Sequence, residues 1–203
     1  LIILIIVATI ITILLLILKD TSTTSEVQAV AVGLPADSTD TVIDGHPCML
    51  YSYDGKTWNR TTGTSFNYGA NSFYSNGGAG YGNNLWVAAG HNIDTENNIL
   101  YSSNGINWEP ASMTGGTSSI FPGSSILNGA MDVAYGKDKW VATGQANAGA
   151  GNSVLWSEDG VLWKQGLMEN GTIPFASGSF MGDGVAYNGR DKWIISGGGG
   201  DTP

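Results

Sequence analysis

Residues 1–18 are apolar at every position except Thr9 and Thr12 and carry no charge. Both hydroxyls can bond back to a helical carbonyl, so the pattern predicts a transmembrane helix. At 1.5 Å of rise per residue the stretch covers roughly 27 Å, close to the ~30 Å hydrocarbon core. A cleaved signal peptide is the rival reading, but the apolar run exceeds a signal core and no small-x-small cleavage site follows closely. The lipid membrane is thus an expected partner through residues 1–18, with polar residues 19–26 as a short stalk. Lys19 and Asp20 alone do not fix the orientation.

Beyond the stalk, short apolar segments recur. Val30-Ala31-Val32-Gly33 returns as Val87-Ala88-Ala89-Gly90, Val141-Ala142-Thr143-Gly144 and, loosely, Ile194-Ile195-Ser196-Gly197. A second segment follows the first three: Leu50-Tyr51-Ser52-Tyr53-Asp54-Gly55-Lys56-Thr57-Trp58, then Leu100 to Trp108, then Leu155 to Trp163. A third precedes the later copies, at Asp132-Val133-Ala134-Tyr135-Gly136 and Asp183-Gly184-Val185-Ala186-Tyr187, with a degraded form at Gly80-Tyr81-Gly82. The best copy predicts strand A over 131–135, B over 139–144, C over 153–157 and D over 161–165. Each is β-branched or aromatic and bounded by Gly, Asn or Asp. Asp-Gly and Asn-Gly between C and D supply the positive φ that hairpin turns favour.

Four strands at a spacing of roughly 50 residues match a propeller blade rather than a helical solenoid. The predicted fold is all-β: a β-propeller-like array of four-stranded blades after an N-terminal transmembrane helix. The partial propeller spans 27–203, in modules of about 27–62, 79–109, 131–165 and 183–203. With 30 glycines, helix beyond the anchor is not expected.

Composition narrows the partners. Seventeen acidic against 8 basic residues give a net charge of −9, which argues against nucleic acid. Cys48 is the only cysteine, so no intrachain disulfide forms and an inert thiol is expected. Sequons at Asn59 and Asn170 permit N-glycosylation.

The Ser-x-Asp-Gly-x-x-Trp turn resembles a shortened Asp-box, the motif of sialidase-like β-propeller repeat proteins, and the wider pattern resembles uncharacterised repeat proteins of giant DNA viruses and bacteria. Ser52, Asp54, Gly55, Thr57 and Trp58 fit most closely. The second copy has Ser102, Asn104, Gly105 and Trp108, with Asn in place of Asp; the third has Ser157, Asp159, Gly160 and Trp163. In that family the box is a structural turn remote from catalysis. The resemblance implies an aspartate folded back onto its own turn, a Trp packed between sheets, and a structural protein of a virion or cell surface.

A sialidase-like enzyme holds its substrate carboxylate with three arginines, whereas this chain has only Arg60 and Arg190. A general glycosidase needs two carboxylates about 5–9.5 Å apart, and Asp132 with Asp183 is the nearest pair; a solvated strand-start residue, or a hydrogen bond to neighbouring amides, is the structural alternative. No nucleophile elbow, zinc-protease helix or phosphate-binding loop is present, and Gly77-Gly78-Ala79-Gly80 lacks the lysine of such a loop. His46 and His91, with Asp44 and Asp94 nearby, lack the spacing and third ligand of a zinc site. No catalytic residue and no cofactor are assigned.

Alternating strands put A-to-B and C-to-D turns on one face and the long B-to-C and D-to-A loops on the other. The long loops, 34–47, 91–98, 145–152, 61–79, 109–130 and 166–182, carry Asp37, Asp40, Asp44, Asp94, Glu96, Glu109 and Glu169 but no Lys or Arg. Long loops on a rigid scaffold are the usual recognition surface, and one-signed charge steers cations or basic surfaces. The expected function is a membrane-anchored structural or interaction module, extracytoplasmic or on a virion surface. It would bind protein or glycan through this face, with Ca²⁺ admissible there, and assemble with other structural proteins. A glycosidase-like enzyme is the alternative. The array is expected to be incomplete, so either the chain continues beyond Pro203 or another chain covers an apolar flank that includes Trp193 and Ile194.

Overall fold

The computed structural model describes residues 26–33, 49–63, 77–90, 98–114, 129–145, 153–171 and 180–199. The expected anchor and nearly all of the stalk lie outside them; among the described residues no helix is long and apolar enough to cross a membrane.

The first module forms β1 (Ala29–Val32), β2 (Met49–Ser52) and β3 (Trp58–Arg60), an antiparallel sheet in the order β1-β2-β3. The chain then crosses to the next sheet as β4 (Thr62–Gly63), followed by β5 (Ala79–Gly82), β6 (Leu85–Ala89), β7 (Ile99–Ser102) and β8 (Asn107–Pro110), ordered β4-β8-β7-β6-β5. The step repeats: β9 (Ser112–Met113) leads to β10 (Gly129–Gly136), β11 (Lys139–Gln145), β12 (Val154–Ser157) and β13 (Leu162–Gln165), ordered β10-β11-β12-β13-β9. A hairpin, β14 (Phe180–Tyr187) with β15 (Trp193–Gly199), ends the described chain.

The fold is therefore all-β with several small sheets. The two larger ones are mixed, because β4 and β9 join their neighbours' last strands in parallel. The degraded Gly80-Tyr81-Gly82 segment is a genuine strand, β5. Strand A of the third module runs two residues earlier than its predicted start, with a bulge between Ala130 and Asp132.

The A-to-B turns at Asn83-Asn84 and Lys137-Asp138 place two successive non-glycine residues at positive φ, between 49° and 58°. This is the type I′ geometry that matches the twist of paired strands. The C-to-D turns instead use one positive-φ glycine each: Gly55, Gly105 and Gly160.

Period-2 alternation gives each sheet two apolar faces, and the faces stack. Met49, Val30 and Val32 of the first sheet meet Ala88, Leu100 and Trp108 of the second. Val87, Ala89, Ile99 and Ala111 of the second meet Trp140, Ala142, Leu155 and Trp163 of the third. Val141 and Val154 of the third meet Val185, Trp193 and Ile195. Close approach has a sequence cause: a Cβ on Gly82 would collide with the Tyr135 ring, and one on Gly136 with the Tyr187 ring. The glycines that end β5 and β10 are the seats for the next sheet's tyrosine.

Candidate functional site

The three Ser-x-Asp/Asn-Gly turns share one hydrogen-bond pattern. Ser52 Oγ accepts the N–H groups of Asp54 and Gly55, and Asp54 Oδ1 accepts those of Lys56 and Thr57 at 2.8 and 2.7 Å. Asn104 Oδ1 accepts Ile106 and Asn107 N–H, both at 2.9 Å. Asp159 Oδ1 accepts Val161 and Leu162 N–H at 2.9 and 2.8 Å. An amide oxygen serves as well as a carboxylate, which explains the Asn at position 104. The N–H groups of Thr57 and Lys56 hold the Asp54 carboxyl down to about 2. For Asp159, burial pushes upward but the N–H donors of Leu162 and Val161, with Ser157, outweigh it and the net shift is downward.

The tryptophans separate. Trp108 and Trp163 are 2 % and 0 % exposed, and each indole N–H donates to the carbonyl of its own turn glycine. Trp58 is 40 % exposed, which corrects the expectation that every box tryptophan packs between sheets. It faces the side of the first sheet that no described sheet covers. Leu50 shares that exposure, although Leu100 and Leu155, its counterparts, are fully buried.

Asp132 and Asp183 do not behave as a matched pair. Asp132 Oδ1 accepts Val133 N–H at 2.8 Å and Oδ2 accepts Val185 N–H at 3.0 Å, while Asp183 is exposed. Both Asp132 oxygens thus hold backbone.

Of the acidic loop residues, Asp37, Asp40, Asp44, Asp94 and Glu96 lie outside the described residues, as do His46 and His91. Glu169 sits in an exposed turn. Glu109 is not a loop residue: strand D continues to Pro110, and Glu109 accepts the Tyr101 hydroxyl at 2.8 Å, which raises the phenol's pKa. Asn59 lies exposed on β3 and Asn170 in an exposed turn. No group of three His, Cys, Asp or Glu that could hold a metal occurs among the described residues.

A cleft of about 510 Å³ lies between the residues preceding β1 and the β5–β6 hairpin, lined by Glu26, Val27, Tyr53, Tyr81 and Trp86 among others. Its Tyr81–Trp86 pair, 4.7 Å between ring centres, is the same pair as Tyr135–Trp140 and Tyr187–Trp193. The aromatic wall therefore belongs to the repeat, and Tyr81 is open because no described strand offers it a glycine seat. Sequence reasoning missed the parallel two-residue strands β4 and β9, which carry no periodic signal; for Asp132 the expected bond to a neighbouring amide is found at Val133, while its long-range bond to Val185 has no signal in the sequence. No family model, curated protein or solved structure matches the chain.

Proposed function

We propose that this chain is a membrane-tethered structural or interaction module, part of a β-propeller, that binds protein or glycan through its long-loop edge on a cell or virion surface. The observation that carries the reading is the repeated stacking of sheets whose tight turns all lie at one edge. Asn83-Asn84, Lys137-Asp138 and the three Ser-x-Asp/Asn-Gly turns close strands by short self-satisfied links. That edge has few backbone groups to offer a partner. The connections 34–48, 91–97 and 146–152, and 64–76, 115–128 and 172–179, leave from the opposite strand ends. Long connections that carry Asp37, Asp40, Asp44, Asp94 and Glu96 and no Lys or Arg, on a scaffold of stacked sheets, support a recognition role. The tether rests on the apolar run 1–18.

Replacing 115–128 by a short Gly/Ser link tests the assignment. The latch at Ser112–Met113 stays intact, so the β-type spectrum should be unchanged while retention on a glycan array or on immobilised surface proteins is lost. Undiminished retention would sink it.

A further inference from the structure

The passage from one sheet to the next repeats in register. On the donor side Thr61 N–H donates to Met49 O, Ala111 N–H to Ile99 O and Gly166 N–H to Val154 O, at 3.4, 3.0 and 2.9 Å. In the first two cases the next residue crosses over: Thr62 N–H donates to Ile106 O at 2.8 Å and Ser112 N–H to Val161 O at 3.0 Å. Thr114 N–H then donates to Trp163 O at 2.9 Å. Leu167, Met168 and Glu169 occupy the third set of these positions, after Gly166. Leu167 and Met168 belong to no strand ladder among the described residues, lead into a turn in which Gly171 N–H donates to Met168 O at 2.8 Å, and are 58 % and 54 % exposed. Two large apolar side chains thus stand where β4 and β9 each find a neighbour's last strand.

The adjoining sheet has fewer described strands than its counterparts. β6 and β11 each pair onward with a C strand, whereas β15 pairs only with β14 among the described residues. Leu155 and Trp163 of the third sheet's C and D strands close the core against Val87, Ala89, Ile99 and Ala111. Among the described residues, the equivalent cluster around Val141 and Val154 is closed by the A and B strands alone, through Val185, Trp193 and Ile195.

We infer that Leu167–Met168, with the outer edge of β15, is a docking site for a β-hairpin of the chain's own repeat type, Leu-x-Ser-x-Asp-Gly-x-x-Trp. Continuity with the two interfaces inside the molecule sets the register. The hairpin's first strand extends the sheet at β15, its Trp enters beside Val154, and the carbonyl two residues before that Trp accepts Leu167 N–H. Backbone pairing supplies adhesion and the Leu and Trp pockets supply selectivity. This surface is separate from the long-loop edge, so the two assignments stand or fall independently.

The probe is a fluorescently labelled synthetic peptide of residues 153–165, linear and end-cyclised to hold the hairpin, titrated onto the full chain in lipid nanodiscs by anisotropy. Saturable binding is expected, weakened at least about tenfold by Trp163→Ala in the peptide and by Leu167→Pro in the chain. Leu167→Ala, which keeps the amide, should retain more binding than Leu167→Pro, with the strand spectrum of all variants unchanged. The 115–128 replacement should bind the peptide like the wild type. Failure of both peptides to saturate, or indifference to Leu167→Pro, would overturn the site. So would self-association of the chain that Trp58→Ala abolishes, because a second copy would then hold this face.

Discussion

The carboxylate of Asp132 accepts the backbone N–H of Val185, 53 residues away, at 3.0 Å. It does so beside a bulge in β10 and a matching bulge in β14, where ladder bonding is interrupted. The side chain replaces a backbone acceptor at a place where two sheets meet. Removing it leaves an amide unpaired at a residue that is 8 % exposed. Asp132→Ala should therefore cost about 1–3 kcal/mol and selectively speed hydrogen exchange at Val185. Exchange at Val185 equal to wild type would contradict the bridge.

Gly82 and Gly136 seat the rings of Tyr135 and Tyr187. Gly82→Ala should destabilise by about 1–3 kcal/mol through overpacking. Pairing it with Tyr135→Ala should recover part of that loss, since the two sites share one contact. Denaturant unfolding followed by tryptophan fluorescence reads both; strictly additive losses would show that the ring and the glycine are unrelated.

The three box tryptophans should differ in cost. Trp108→Ala and Trp163→Ala remove fully buried rings and should lose about 3–5 kcal/mol each. Trp58→Ala, at 40 % exposure, should lose clearly less. Equal losses in thermal or denaturant melts would mean that Trp58 is covered as the others are.

Asp54 titrates at about 2, below the ordinary 3.8, because Thr57 and Lys56 N–H groups favour its charged form. A depressed folded pKa stabilises above the unfolded value and the contribution is lost as pH falls through the folded one. The first turn should thus hold through pH 3.8 and loosen toward pH 2. The amide resonances of Lys56 and Thr57 should titrate with a midpoint near 2, and Asp54→Asn should remove that step while preserving the turn, as Asn104 does. A midpoint near 3.8 would contradict the arrangement.

Much of this architecture was legible in the chain. The Val-Ala and Tyr-Gly segments located the strands because period-2 alternation and β-branched residues mark them, and Gly55, Gly105 and Gly160 located the C-to-D turns because positive φ favours glycine. The latches Thr62–Gly63 and Ser112–Met113 were not legible, since two residues carry no period. Nor was the exposure of Trp58: its local sequence matches that of Trp108, and only the neighbouring sheet distinguishes them. The sequence reading puts Glu109 in the loop 109–130, whereas strand D runs through Glu109 to Pro110. Pro110 pairs with Leu100 at the end of β8. The acidic face is an expectation from composition, since Asp37, Asp40, Asp44, Asp94 and Glu96 lie outside the described residues.

The most direct test of the recognition reading is a glycan and surface-protein array probed with the full chain in nanodiscs, alongside a variant with those five acids changed to Asn or Gln. Mass analysis of each captured ligand completes the measurement. The account predicts retention of a ligand in unaltered form, diminished by neutralising the five acids and by raised ionic strength. Cleavage of a captured glycan, or retention indifferent to both changes, would contradict it.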